Sequence, residues 1–352
     1  VNLPSCVPAT NLGTSGAKLE IEHLLPFADH PKVIGLAELM NIGGVLGGAP
    51  AVLAKAKAFW DVHIDGHLPG ILGKNLSGMI ACGVSTDHES TSAAEAGEKL
   101  SKGVHVLARA GSAAQNIPAL AALFKPATAK NLGFCTDDRN PDDIAREGDI
   151  DHAIRTAIAG GADPASAYIA AGYGTASAFG LTRNHPKFGT KRGAIAPGWL
   201  ADLVILDDVK TCKIDSVMKR GKIVGPQTFA QKLTPQFEAA RQTVKIGPVT
   251  AADFAIPSAG KAVACEFPQD GIPEREKTRA IGLIPGQIVS QALWANVPHH
   301  KGFLQATTDV SKLVVMERHG INGNVSKGFI TDFGFKPGSW ALASTVSHDD
   351  HN

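Results

Sequence analysis

Short apolar runs alternate with polar, helix-like stretches through the first 185 residues. Four runs end in a residue that can bind a metal or move a proton: Val33–Glu38, Val62–His67, Cys82–His88 and Leu132–Asp137. A fifth run, His105–Arg109, fills the wide gap before the last of them. Apolar runs of this length predict buried strands, and most of the stretches between them are long enough for a helix. The pattern therefore predicts an α/β fold with its active groups at the C-terminal ends of the strands, as in a (β/α)8 barrel.

Helix start signals support this alternation. Ser92 and Glu95 have the spacing of a capping box, which predicts a helix that continues to about Leu100. Pro141, followed by two acids, predicts a second helix, since proline suits the first turn and acids complement the helix dipole. Asp163, followed by proline, predicts a third helix with the aspartate as N-cap.

The residue composition changes near residue 183, where the polar, turn-rich segment Arg183–Lys191 begins. We assign residues 1–185 to the barrel, 186–227 to a small β domain and 228–352 to a C-terminal α+β domain. The small β domain is predicted to contain short strands split by turns, in Gly193–Leu206 and Val217–Val224. Strand-like pieces in the last region are Gly260–Cys265 and Lys312–Glu317.

Composition narrows the class of function. With 44% hydrophobic and 19% charged residues, the chain has the composition of a globular protein. A formal net charge of +1 gives no field to attract nucleic acid or an acidic membrane, and no apolar run suffices for a membrane span. Five scattered cysteines without a CxxC pair indicate reduced thiols. We expect a cytoplasmic protein that acts on a small molecule, without nucleic acid or membrane partners.

Three strand ends offer metal ligands. Glu38 follows apolar residues, and a carboxylate in such surroundings must be paired, protonated or bound to a metal. His67 lies in a Gly- and Pro-rich turn, and His88 stands between Asp87 and Glu89, either of which could orient its ring. A structural ion pair or a solvated loop histidine explains each residue alone. Their recurrence at successive strand ends favours a metal site.

Asp137 and Asp138 are adjacent acids, so both cannot point into the same site. We choose Asp137, which follows the strand directly, as a metal ligand and proton carrier. Asp138 is then expected to pair with Arg139.

The segment that follows the fifth run resembles a strand end leading into a helix. Arg109, Ser112 and Asn116 are the predicted substrate contacts, and the backbone N–H groups of Gly111 and Ser112 could hold a polar substrate atom. A plain helix cap explains the segment equally well. The His348–His351 spacing is like that of a metal motif, although a surface turn explains it better.

Segments spread over the whole chain share one resemblance. They are Ser5-Cys-Val-Pro-Ala9, Gly35-Leu-Ala-Glu38, Asp65-Gly-His67, His88-Glu-Ser90, Gly111-Ser-Ala-Ala-Gln-Asn116, Cys135-Thr-Asp-Asp-Arg139, Val315-Met-Glu-Arg-His319, Gly328-Phe329 and Ala343–Asn352. In combination they resemble the adenine deaminase family of the amidohydrolase superfamily.

The resemblance implies a site with two divalent metal ions, Mn²⁺ or Fe²⁺ with Zn²⁺ as an alternative, in the mouth of the barrel. Glu38 would bridge the ions, His67 and His88 would bind the second, and Asp137 would bind the first and shuttle protons. Hydroxide on the metals would attack C6 of adenine and release ammonia and hypoxanthine, a reaction of purine salvage. A homodimer is the expected assembly.

The chain departs from this family at its start. The family's first strand carries a His-x-His pair and its second a Pro-His-Glu motif, and neither is found here. We therefore expect the chain to begin at the third barrel strand and to be cut at both ends. Arg109-Ala-Gly-Ser112 also stands where the family has Arg-Glu-Gly-Ser. Two alternatives stay open: another amidohydrolase, such as a cyclic amide hydrolase, or an inactive fragment without the His-x-His strand.

Overall fold

The computed structural model describes residues 1–185, 187–229, 242–259, 262–263 and 275–336. The chain divides into two compact units. The first unit comprises residues 1–12 and 18–236, and the second comprises residues 13–17 and 237–352. A separate domain over residues 186–227 and a boundary at residue 228 stay predictions. The His348–His351 spacing and the Ala343–Asn352 segment lie outside the described residues.

Six short strands that pair in parallel give the first unit its frame. They are β1 (Asn2–Leu3), β2 (Gly35–Leu39), β3 (His63–Gly66), β4 (Thr86–Asp87), β5 (His105–Arg109) and β6 (Leu132–Cys135). Strands β1–β3 form one parallel sheet and β4–β6 another, and the amide of Ser85 donates to the carbonyl of Ile64 at 3.0 Å between them. Each of the five predicted runs contains one strand. Since neighbours run parallel, the ends that carry the polar residues lie on the same side of each sheet.

Ten α-helices are described in the first unit. They are α1 (Ile21–Ala28), α2 (Ile42–Leu46), α3 (Pro50–Ala58), α4 (Gly73–Ala81), α5 (Ala93–Ser101), α6 (Ile117–Leu120), α7 (Pro141–Glu147), α8 (Ile150–Ala159), α9 (Pro164–Ile169) and α10 (Thr175–Ala178). The predicted starts at Ser92 and Asp163 are confirmed, because each side chain accepts a hydrogen bond from an amide in the first turn. The predicted helix from Pro141 is two helices. Gly148, at φ 102°, separates them in a conformation that favours glycine.

Each parallel sheet packs against its own apolar cluster. Leu36 and Ile64 are fully buried with the helices around β1–β3, and Phe124 stacks on Phe134 at 4.7 Å between ring centroids beside β4–β6. Close strand contact also depends on Gly35, since a Cβ there would lie 2.0 Å from the carbonyl oxygen of His63. Each of the two parallel sheets is thus held in place by a packed apolar cluster.

Antiparallel strands follow the parallel ones. In the first unit, β7 (Leu203–Asp208), β8 (Lys213–Lys219) and β9 (Lys222–Ile223) form a three-stranded sheet. Within Gly193–Leu206, which was predicted to contain short strands and turns, β7 begins at Leu203. The predicted Val217–Val224 piece spans the turn between β8 and β9.

The second unit is built on one antiparallel-rich sheet. Its strands are β10 (Ile256–Pro257), β11 (Ala262–Val263), β12 (Arg275–Leu283), β13 (Ser290–His300), β14 (Phe303–Leu304), β15 (Val310–Met316) and β16 (Val325–Thr331). The described residues of this unit contain strands and a single 3-10 turn, so the helical part of the predicted α+β domain stays a prediction. Among the helices described in either unit, none has the length and apolar character to cross a membrane.

Candidate metal centre

The predicted ligands converge where the parallel strands end. Glu38 lies near the end of β2, His67 follows β3, and His88 follows β4. Arg109 is the last residue of β5, and Asp137 lies two residues beyond β6. Strands β2 to β6 each bring one of these side chains to their C-terminal ends, which is the arrangement that the apolar pattern predicts.

Glu38 links the two histidines. Its Oε2 atom lies 2.9 Å from His67 Nδ1 and 3.2 Å from His88 Nε2, and the two rings meet edge to face at 5.6 Å between centroids. One ligand atom from each of the three residues lies within 4.8 Å of the others. Two imidazole nitrogens and a carboxylate oxygen are a donor set that fits Mn²⁺, Fe²⁺ or Zn²⁺.

A second group of ligand atoms shares His88 with the first. His88 Nε2 lies 3.4 Å from Asp137 Oδ2 and 3.5 Å from Glu89 Oε1, and one atom of each falls within 4.8 Å of the others. Glu89 is fully buried beside the cluster. Its side chain was expected only to orient His88 or to solvate the loop. The adjacent His-Glu pair is the signal that could have placed it at the site.

Asp137 reaches the cluster from a left-handed backbone conformation, with φ 49°. That turn directs its carboxylate toward His88 rather than along the strand. Arg139, the predicted partner of Asp138, pairs with Glu147 at 2.7 Å and donates to the carbonyl of Ala110.

Arg109 contacts two carboxylates of the cluster. Its side chain is buried, its Nη1 atom contacts Glu89, and the same atom lies 2.9 Å from Asp137 Oδ2. The carbonyl of Arg109 accepts the amide of Asn116, which is fully buried. Arg109 therefore holds two carboxylates of the cluster, and direct substrate contact by Arg109 or Asn116 stays a prediction.

Ser112 points to the neighbouring loop. Its hydroxyl donates to Asp143, and its amide donates to the carbonyl of Asp138 at 2.9 Å. The amide of Gly111 donates to the carbonyl of Ala114 at 2.9 Å. The expectation that these two N–H groups are open to a substrate atom is therefore wrong, because backbone carbonyls already accept them. Substrate contact by the Ser112 hydroxyl stays a prediction.

Opposing electrostatic effects set the protonation of the cluster. Burial acts to raise the pKa of Glu38, but hydrogen bonds to His67 and His88 outweigh it and hold that pKa far below its usual range. Burial acts to lower the pKa of His88, but the carboxylates of Asp65 and Glu38 raise it well above the ordinary value. Burial raises the pKa of Glu89 despite the nearby Arg109. The carboxylates of Asp65 and Glu38 thus favour a positive charge at His88.

Asp65 orients the second histidine. Its Oδ2 atom lies 3.4 Å from His88 Nδ1, and Thr86 donates its hydroxyl to the other oxygen. Asp87, one of the expected orienting groups, instead accepts the amide of Leu68 at 2.9 Å. The alternation of a strand could have identified Asp65, since it is two residues from His67 and such residues lie on the same face of a strand.

Comparison with known proteins adds an independent line of evidence. Residues 2–224 match the amidohydrolase family, and residues 287–352 match the adenine deaminase C-terminal domain. An adenine deaminase from Brucella anthropi is 46% identical over 100% of this chain and 58% of its own length. One from Sinorhizobium fredii is 45% identical over the same shares. The chain spans a little over half the length of these curated relatives.

Solved structures show only a weak likeness. N-acetyl-D-glucosamine-6-phosphate deacetylase from Mycobacterium smegmatis is 16% identical over 58% of each chain, with a TM-score of 0.42. A likeness of this size carries no argument about function.

Proposed function

Because the chain belongs to the amidohydrolase family, we propose that it forms part of an adenine deaminase that hydrolyses adenine to hypoxanthine and ammonia. The convergence of Glu38, His67, His88 and Asp137 carries this proposal. The family implies use of a divalent metal, and the donor atoms of the cluster suit one. The match of residues 287–352 to the adenine deaminase C-terminal domain favours adenine over other substrates of the family.

We also propose that β1–β6 are the third to eighth strands of a (β/α)8 barrel. Six parallel strands separated by helices support this, as does the position of every candidate ligand at a strand end. Residues 186–227 would form a small β domain, and residues 228–352 would form a C-terminal α+β domain. A cytoplasmic homodimer remains our expectation for the assembly.

The ligand roles are those that the family resemblance implies, and the group of Glu38, His67 and His88 supports the set proposed for one ion. Glu38, His67 and His88 would hold one ion, and Asp137 would hold a second, with Glu38 bridging the two. Bound divalent ions supply a nucleophile at neutral pH by lowering the pKa of water. We propose Mn²⁺ or Fe²⁺ as the native ion, with Zn²⁺ as the alternative.

Asp137 is the proposed proton carrier. Its carboxylate is anchored at 2.9 Å by the Arg109 guanidinium, which fixes the oxygen that faces His88. A carboxylate held in this way can take a proton from water and deliver it to the ring nitrogen or the leaving amine of the substrate. Arg109, Ser112 and Asn116 are the proposed contacts to the purine.

The test is a substrate panel with the metal-loaded protein. Purines and cyclic amides are incubated with protein carrying Mn²⁺ or Fe²⁺, and ammonia and hypoxanthine are measured. We expect the whole protein of which this chain forms part to turn over adenine alone. Hydrolysis of a cyclic amide without adenine turnover would favour the second enzyme class. Absence of all turnover in folded, metal-loaded protein would favour an inactive fragment.

A further inference from the structure

Lys99 lies in the last turn of α5 and is sealed from water. Its side chain has no exposed surface. Its ammonium donates to the carbonyl of Leu68 at 2.7 Å, Glu95 Oε1 at 2.7 Å, Asp87 Oδ2 at 2.9 Å and Ser90 Oγ at 3.1 Å. Three N–H donors are thus shared among four acceptors. We call these side chains, Lys99, Asp87, Ser90 and Glu95, the Lys99 cluster.

Three of the four acceptors flank the candidate histidines in the chain, and the fourth, Glu95, lies in α5 itself. Leu68 follows His67 directly, and Asp87 precedes His88. Asp87 also accepts the amide of Leu68 at 2.9 Å, so the loops are tied both through Lys99 and directly. A displacement of either loop would break contacts on one ammonium.

Glu95 extends the cluster along both loops. Its Oε1 atom accepts the amide of Gly70 at 2.8 Å, and its Oε2 atom accepts the amide of Thr91 at 3.0 Å. These two amides lie three residues beyond His67 and His88, respectively. The carboxylate of Glu95, like the ammonium of Lys99, therefore forms hydrogen bonds with both loops.

Burial makes the loss of any hydrogen bond or ion pair of Lys99 costly. A buried ammonium is tolerated only when charge and hydrogen bonds replace its water, and Asp87 and Glu95 supply that charge. The low dielectric of the interior strengthens each contact and penalises any loss. The loops can therefore adopt few alternative separations while Lys99 stays buried.

We propose that Lys99 is a positioning residue that sets the separation of His67 and His88 for metal binding. It touches neither histidine in the described contacts and acts through the loops on either side of them. The inference rests on the proposed function, because it presumes that the two histidines share a metal site. It predicts that metal affinity depends on a side chain that is no ligand.

The test uses Co²⁺ as the probe, since its d–d spectrum reports ligand number and geometry. Co²⁺ is titrated into the wild-type protein and into Lys99→Met, with circular dichroism to match the folded fraction. We expect Lys99→Met to bind Co²⁺ about 10- to 100-fold more weakly, with an altered d–d spectrum, as for the loss of an orienting contact behind a ligand. Lys102→Met is the matched control, because Lys102 directly follows the end of α5 and its side chain is 30% exposed.

Ser90→Ala keeps the test decisive if Lys99→Met does not fold. It removes a single hydroxyl from the cluster and leaves every charge paired, and we expect a smaller loss of Co²⁺ affinity of about threefold. Wild-type affinity and spectrum in folded Lys99→Met, or in Ser90→Ala where Lys99→Met fails to fold, would overturn the inference. Failure of the wild-type protein to bind Co²⁺ would instead remove the proposed metal site, and this inference with it.

Discussion

Asp137 is the proposed ligand of one metal ion and the proposed proton carrier. It faces His88 at 3.4 Å and is fixed by Arg109 at 2.9 Å. Asp137→Asn keeps the size of the side chain but removes a proton carrier and a charged ligand together. We expect kcat for adenine to fall about 10³-fold. Steady-state kinetics would check this, with Asp138→Asn as the neighbouring control, and activity within tenfold of wild type would exclude Asp137 from the chemistry.

Glu38 is the carboxylate on which both histidines converge. Glu38→Gln preserves hydrogen-bonding capacity and removes the negative charge that lets one carboxylate bridge two cations. We expect fewer metal ions per chain as well as a lower rate, measured by elemental analysis after dialysis. Glu22→Gln, on the exposed face of α1, should retain the wild-type content. Two ions per chain in Glu38→Gln would contradict the bridging role.

At the scale of elements, β2 and β3 approach too closely for a side chain at Gly35. A Cβ there would lie 2.0 Å from the carbonyl oxygen of His63, which is backbone and cannot rotate away. Gly35→Ala should destabilise the protein by about 1–3 kcal/mol or more, through forced separation of the strands. Gly97→Ala in α5 makes the same chemical change where a Cβ meets nothing within 4 Å, and should stabilise by about 0.5–1 kcal/mol. Thermal unfolding of both variants gives the comparison.

Local patterns predict the elements and the residues at their ends. Apolar runs locate β2–β6, and the last polar residue of each run names Glu38, His67, His88 and Asp137. The strand predictions succeed because a strand end is a property of neighbouring residues, whereas the roles of these four residues stay predictions. The break at Gly148 is missed because the apolar spacing continues loosely across it, while the turn depends on one backbone angle.

Contacts between distant residues are the part that sequence could not predict. Lys99 lies 31 residues from its acceptor Leu68, and Asp65 lies on a different strand end from His88. On sequence alone, Lys99 is one more cation on an amphipathic helix, and its burial depends on how α5 packs against two loops. The ring of His88 is likewise oriented by a tertiary contact with Asp65, which is why the sequence indicated only its neighbours Asp87 and Glu89 as orienting groups.

At the scale of the whole molecule, the second unit has its own acid-sensitive point. Burial acts to raise the pKa of Glu317, but the backbone amides of His319, Gly323, Asn322 and Ile321 outweigh it and lower that pKa. A folded pKa below the unfolded value of about 4.3 contributes stability that is present above that value and lost as pH falls through the folded pKa. The second unit should therefore lose stability in acid below about pH 4.

Glu317→Gln tests this pH dependence. The variant should be less stable than wild type at pH 6 to 7, and the difference should shrink below about pH 4, where the wild-type carboxyl is protonated. Calorimetry from pH 3 to 7 gives the measurement. Asp332→Asn, at an exposed position of the same unit, is the control. A difference that stays constant with pH would show that the carboxylate charge does not matter.

Because the ammonium of Lys99 is buried, its chemical modification reports how often this part of the fold opens. An amine-reactive reagent modifies Lys102 at once in the native protein, since its side chain is 30% exposed, but reaches Lys99 only when α5 leaves the two loops. The labelling rate of Lys99, read by mass spectrometry, therefore counts those excursions directly. A bound divalent cation could slow the labelling of Lys99 and leave the labelling of Lys102 unchanged. That result would show that the opening that exposes Lys99 also separates His67 from His88.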